Sequence, residues 1–171
     1  MKKKNRFDIF SSPLLRAVEC DDLPMLVEAI DAGENIEVLD RAGCTPLIRA
    51  ATLGFEELVK YLIKSGAAIN AMDDDGWTAL HYVAQNGHSA IAHFLIAEGA
   101  EVDAINKYGN TPLFNAIFNY TKDGNESYRV FLEAGASLDA KNNAGVSPRD
   151  LTECDGMEEL EIYKIKGVRL D

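Results

Sequence analysis

Two kinds of apolar pattern alternate along the chain. In "FEELVKYLIKS" (55–65) and "SAIAHFLIAE" (89–98) apolar residues recur at i, i+3, i+4 and i+7, the spacing of one helical face. A shorter segment precedes each, "PLIRAATL" (46–53) and "ALHYVAQN" (79–86), with small residues at Ala50, Ala51 and Ala84. Small side chains there suit close approach by a neighbouring helix. Gly54 and Gly87 separate the two segments and supply the left-handed residue that ends a first helix. Gly66 and Gly99 stop the second, and "AAINAMDDDGW" follows as a projecting turn. The predicted unit is helix, turn, helix, projection. It cannot bury its apolar face alone, so neighbouring units must stack.

The unit repeats every 33 residues. Gly43, Gly76 and Gly109 keep that step, as do Gly33, Gly66 and Gly99, and Thr45, Thr78 and Thr111. Ser12 and Pro13 extend it backwards, 33 residues before Thr45 and Pro46. Gly135 lies 36 residues after Gly99, so the fourth unit has gained three residues, which places an insertion in "NYTKDGNES" (119–127). A degenerate copy begins at "NNAGVSPRDLTECDG". The threonines can cap a first helix through a side-chain oxygen, with Pro46 and Pro112 at its first position.

This pattern resembles the ankyrin repeat, through the recurring "DxxGxTPL" and "GAxIN" elements held in fixed phase. The resemblance spans about residues 11–166: four near-full repeats (11–39, 40–72, 73–105, 106–141) and a degenerate capping repeat (142–166). Residues 1–10 form a basic tail and 167–171 a C-terminal one. It implies an all-α ankyrin-repeat solenoid of stacked helix-turn-helix units with short β-hairpin projections. It also implies a hydrogen-bonding turn histidine, which His81 supplies while Ile48 and Phe114 replace it elsewhere. Asp21 stands where the first repeat should have its inter-helix glycine, and Glu34 replaces the alanine after Gly33.

The chemical candidates are weak beside this reading. "DDDG" (73–76) offers carboxylates, but a calcium loop needs a glutamate six residues beyond its glycine, and "WTALHY" follows Gly76. The resemblance places Asp73 at a turn-stabilising position and Asp74 and Asp75 at a tip. His88 and His93 are five apart and share no helical face, so they form no metal pair and read, with His81, as structural. Cys20, Cys44 and Cys154 are odd in number and widely spaced, which suggests neither a disulfide framework nor a zinc site. The chain has no nucleophile elbow, P-loop or dinucleotide fingerprint. Glu56–Glu57 and Glu158–Glu159 start second helices, where negative charge complements the helix dipole. The expectation is a protein that is not an enzyme, with no cofactor and no metal.

Charge narrows the partners. The 171 residues carry a net −11, and without Lys2, Lys3, Lys4 and Arg6 the remaining basic residues leave the body at about −15 against 28 acidic ones. That disfavours nucleic acid and anionic membrane and favours a neutral or basic protein partner. The basic start has no long apolar run behind it, no stretch reaches membrane-spanning length, and the cysteine usage fits a reducing interior. A cytoplasmic protein, monomeric when free, is expected.

In ankyrin arrays the turn tips and exposed sides of the first helices form a concave groove. Carried over by phase, the groove takes Arg41, Cys44, Arg49 and Leu53 from the second repeat. The third adds Asp74, Asp75, Trp77, Tyr82, Gln85 and Asn86; the fourth adds Lys107, Tyr108, Asn110, Asn115, Phe118 and Asn119; the last adds Asn143 and Val146. Exposed aromatic residues suit the centre of an interface, although a tryptophan after the turn glycine can also serve only to pack. The resulting expectation is a non-catalytic protein-binding scaffold. Some compact bacterial ankyrin proteins resemble immunity proteins, which suggests an inhibitor of a basic toxin. The alternatives are an adaptor without inhibitory role, or a ligand-regulated or enzymatic protein, which would need a pocket.

Overall fold

The computed structural model describes residues 12–119 and 127–154, with the side chains of residues 153 and 154 outside that description. The basic tail and most of the inserted segment therefore lie outside the described residues, as does the acidic stretch after Glu153. The chain divides into two compact units, residues 1–79 and 80–171.

In the first unit, α1 (Pro13–Glu19) pairs with α2 (Leu23–Asp31), and α3 (Pro46–Leu53) with α4 (Glu56–Lys64). The second pair stacks on the first, α3 against α1 and α4 against α2. Each first helix starts where the sequence requires. Ser12 Oγ accepts from Leu15 N–H at 3.4 Å and Thr45 Oγ1 from Ile48 N–H at 3.2 Å, each followed by proline at the helix start. Asp22 caps α2 in the same way, accepting from Met25 N–H at 2.9 Å. Helix α4 has no side-chain cap; Glu56 and Glu57 occupy its first turn, and Lys60 pairs with both. Leu14, Leu15, Val18, Leu26, Leu47, Ile48, Leu58 and Leu62 are fully buried, and Ala50 and Ala51 are sealed among them.

The second unit repeats this plan. Helix α5 (Ala79–Asn86) precedes α6 (Ser89–Ala97), α7 (Pro112–Phe118) pairs with α8 (Ser127–Glu133), and α9 (Pro148–Cys154) opens the last repeat. Here α8 packs on α6 and α9 on α7. Thr111 Oγ1 caps α7 by accepting from Phe114 N–H at 3.2 Å. Ser147 and Asp150 cap α9 reciprocally: the carboxylate accepts from Ser147 N–H at 2.8 Å, and Ser147 Oγ accepts from Asp150 N–H at 3.2 Å. The core holds Leu80, Val83, Ile91, Leu95, Leu113, Ile117, Tyr128 and Phe131, with Ala84 fully buried.

Asp21 adopts φ +52°, the one non-glycine residue at positive φ among those described. It occupies the left-handed position that Gly54 (φ +81°) and Gly87 (φ +77°) fill in later repeats. Aspartate tolerates that region better than most residues, at a steric cost glycine avoids.

The expected short projections form as tight hairpin turns without ladder strands. Among the described residues no strand forms, and Leu39 alone has an isolated bridge. The reason is local. Each turn closes on a backbone bond from the first residue's N–H to the carbonyl four residues on (Asp40 to Cys44, Asp73 to Trp77, Asn106 to Asn110 and Asn142 to Val146), and inside it the glycine N–H donates to the first residue's carbonyl. The first residue's side chain takes the N–H groups a ladder would need, and a glycine at the fourth position bends the chain back.

Candidate functional site

The projecting turns and the first helices carry the candidate residues. In the first unit, Asp40 Oδ1 accepts from Ala42 N–H at 2.8 Å and Cys44 N–H at 2.9 Å. Asp73 Oδ1 does the same for Asp75 N–H at 2.8 Å and Trp77 N–H at 2.9 Å. Asp73 is thus the turn-stabilising residue, and Asp74 and Asp75 stand exposed at the tip. The two turns stack. Asp74 N–H donates to Ala42 O at 3.3 Å, and a Cβ on Gly43 would lie 2.7 Å from Asp74 Oδ1.

Of the first unit's predicted residues, Arg41 is exposed, Leu53 is 38% exposed and Trp77 is half-buried. Cys44 is a correction. It is buried, its N–H held by Asp40, and its thiol points at Asp73 Oδ2 from 3.9 Å, so it cannot meet a partner. The turn residue after the glycine faces its neighbouring turn instead of solvent. Arg49 is also committed elsewhere. Its guanidinium grips Glu19 of the preceding repeat through Nε and Nη2 and lies 3.8 Å from Asp40 Oδ2. It is an internal tie between α1, α3 and the turn.

In the second unit the same construction uses amides. Asn106 Oδ1 accepts from Tyr108 N–H at 2.9 Å and Asn110 N–H at 3.1 Å; Asn142 Oδ1 accepts from Ala144 and Val146 N–H, both at 3.0 Å. The turns are stitched together at three points. Asn143 N–H donates to Tyr108 O at 3.0 Å, Asn143 Nδ2 to Lys107 O at 2.9 Å, and Asn142 Nδ2 to Asn110 Oδ1 at 2.8 Å. From below, buried His81 meets Asn110 O through Nε2 at 3.0 Å, tying α5 to the turn of the next repeat. His93, by contrast, is exposed and holds no structural position in the core.

This scaffold presents a surface. Lys107 and Tyr108 are exposed, the ammonium 5.0 Å from the ring centroid. Phe118 is 69% exposed and stacks at 6.2 Å on Phe114, which lies beneath it. Asn86 and Asn143 are exposed, and Tyr82, Gln85, Asn110, Asn119 and Val146 are half-buried. Asn115 is the second correction. It is buried, its Nδ2 without a hydrogen-bond partner and its carbonyl taken by Asn119 N–H and Nδ2. A short polar side chain on a first helix is covered where a longer one would reach solvent.

Sequence reasoning missed the fasteners between loops that follow the second helices. Glu37 Oε1 accepts from Ala68 N–H at 2.8 Å, and Asp103 Oδ1 from Ser137 N–H at 3.0 Å. Both acids occupy the same repeat position, and that shared register was the available signal. Among the described residues no group of three or more His, Cys, Asp or Glu is placed to hold a metal ion, and no helix is long and apolar enough to cross a membrane.

A family model described as ankyrin repeats, three copies long, matches residues 4–73 and again 65–142. No curated protein matches the chain. The matched spans cover well over half of the sequence and coincide with the capped helix pairs and glycine turns described above, so the chain belongs to the ankyrin repeat family.

Proposed function

We propose that the chain is a non-catalytic docking module that seats a partner protein on its turn tips and first helices. Ankyrin repeats are in general interaction scaffolds of this kind. The observation that carries the reading is the exposure of two large aromatic side chains, Tyr108 on a turn whose polar groups are already cross-bonded and Phe118 at the end of α7. A preformed surface loses little entropy on binding, and exposed aromatic residues supply most of the energy at interface centres. An enzymatic or ligand-regulated reading has less support. One cleft among the described residues of the first unit, of about 280 Å³, is lined by Pro13, Met25, Glu28, Ala29, Ala32 and Glu34 and includes none of the candidate residues.

The test is affinity capture with the full chain under native conditions, followed by cross-link mapping on the captured protein. Trp77→Ala with Tyr108→Ala should weaken binding by at least ~2 kcal/mol while the melting temperature holds. Retained binding with a sharp fall in melting temperature would assign both rings to packing and end the reading.

A second, narrower reading is favoured by the net charge of −11: an immunity-type inhibitor of a basic, toxin-like protein in the cytoplasm, acting as a monomer. Association with such a partner should slow steeply as salt is raised, and Asp74→Asn with Asp75→Asn should flatten that dependence. A salt-independent rate, or a partner whose own activity is unchanged when bound, leaves an adaptor.

A further inference from the structure

The cleft in the first unit runs beside α2. Met25, Glu28 and Ala29 share one face of that helix, Ala32 at its C-cap continues the face, and Pro13 and Glu34 complete the wall. Register explains why this face is open. Met25 and Ala29 fall where α4 has Leu58 and Leu62, α6 has Ile91 and Leu95, and α8 has Ser127 and Phe131, all of them at most 2% exposed. In the second unit this register turns toward the preceding repeat, since Ser127 Oγ donates to Ala84 O of α5 at 3.4 Å. The first repeat has alanine where the later ones have leucine or phenylalanine, and its methionine is only half-buried. The space left is the cleft, apolar along Met25, Ala29 and Ala32, with exposed Glu28 and Glu34 at its edge.

We infer that this cleft is the seat of the chain's own N-terminal segment, residues 1–11, with the ring of Phe7 or Phe10 inserted and the cations beside the two glutamates. The segment joins the described chain at Ser12, next to a residue of the cleft wall, so tethering alone gives it an effective concentration on the order of millimolar. Its reach suffices. Phe7 is six residues from Pro13, up to about 20 Å of extended chain, against roughly 10 Å of helix from Met25 to Ala32. Its chemistry matches too: Phe7, Ile9 and Phe10 suit the apolar wall, and Lys2, Lys3, Lys4 and Arg6 suit the carboxylates, against the single acid Asp8. A volume of about 280 Å³ holds one or two side chains better than a cofactor. A second copy docking cleft to cleft would set Glu28 and Glu34 against their own counterparts, which like charge opposes. The inference is independent of the docking reading, because the cleft includes none of its residues.

The experiment uses the isotope-labelled full chain and a synthetic peptide of residues 1–11, "MKKKNRFDIFS". Nuclear Overhauser contacts should join the Phe7 or Phe10 ring to the methyl groups of Met25, Ala29 and Ala32. Phe7→Ser with Phe10→Ser should remove those contacts. The peptide, added to that variant, should shift the same methyl resonances and bind roughly tenfold or more tighter than to the parent chain, whose own segment competes for the cleft. Glu28→Gln with Glu34→Gln should weaken the peptide roughly threefold and reduce its sensitivity to salt. Contacts that appear only between differently labelled copies would assign the cleft to a second chain and overturn the inference. Equal peptide binding by variant and parent, or ring contacts that avoid these methyl groups, would overturn it as well. Neither result touches the docking reading.

Discussion

The turns of the two units share one backbone design and differ in the atom chemistry that holds it. In the first unit Asp40 and Asp73 fix the turns through a carboxylate oxygen; in the second Asn106 and Asn142 do so through an amide oxygen, at matching distances. The acceptor is what the backbone needs, and either residue supplies it. The second side-chain atom is where the units part. Asp40 Oδ2 faces Arg49, and Asp73 Oδ2 takes the Cys44 thiol. Asn142 Nδ2 instead donates to Asn110 in the neighbouring turn, while Asn106 Nδ2 is buried without a partner. The position that Arg49 holds relative to Asp40 is held by Asn115 relative to Asn106. A charged pair in one unit corresponds to a neutral pair in the other. One fold thus carries an acidic tip at Asp74 and Asp75 and an acid-free tip at Lys107 and Tyr108.

The shared backbone is the first thing to break. Gly109→Ala should destabilise most, by about 3 kcal/mol, combining left-handed strain with overpacking. Its Cβ would meet Asn143 N at 2.9 Å and Asn142 Cα at 3.1 Å, backbone atoms that cannot swing aside. Gly43→Ala should cost less, about 2 kcal/mol, because its nearest clash is the end of the Asp74 side chain. Gly99→Ala, with the same φ sign and open space around it, should lose only about 1 kcal/mol. Denaturant midpoints give the ranking, and equal losses would mean the turns do not press on one another.

Exchanging the turn residues sharpens the charge difference. Asp40→Asn keeps both N–H bonds and loses only a 3.8 Å pairing of its buried carboxylate with Arg49, which retains Glu19, so it should cost about 1 kcal/mol. Asn106→Asp puts a carboxylate at a site 4% exposed whose side-chain oxygen meets only the Tyr108 and Asn110 N–H groups, and should cost about 2 kcal/mol at neutral pH. Burial raises such a carboxyl above its unfolded value, so the penalty should shrink as pH falls and the group is protonated. A thermal melt series across pH decides it; a pH-independent loss would place the cost in geometry.

Asp21→Gly should stabilise the first repeat by about 1 kcal/mol, relieving at φ +52° the strain that Gly87 avoids in the second unit. A lower melting temperature would mean the aspartate side chain has a compensating bond.

The smallest effect separates the caps. Ser12 and Thr45 cap with a hydroxyl alone, whereas α9 adds the Asp150 carboxylate, held below the usual carboxylate range first by Ser147 N–H and then by its hydroxyl. A folded value below the unfolded one gives stability that is present above the ordinary carboxylate pKa and lost as pH falls through the lowered value. Ser147→Ala should move the Asp150 titration back toward 3.8, read by carboxyl chemical shifts. An unchanged titration would show that the hydroxyl adds nothing and that the Ser147 N–H, which alanine keeps, sets the shift alone.

What the sequence determined by itself were the features governed by a few neighbouring residues: helix periods, Ser and Thr caps before proline, left-handed glycines and the 33-residue step. Register also predicted the tips, since Arg41, Asp74 and Lys107 share one phase and all are exposed. Tertiary structure decided the rest of the candidate surface. Arg49, Tyr82 and Asn115 share a phase too, yet Arg49 is tied to Glu19, Tyr82 is half-buried and Asn115 is buried. Cys44, Trp77 and Asn110 likewise divide into one buried and two half-buried residues. Phase fixes the direction in which a side chain leaves the backbone. Whether it reaches solvent depends on its length and on groups some thirty residues away, such as Glu19 for Arg49 and Asp73 for Cys44, which only folding brings into reach.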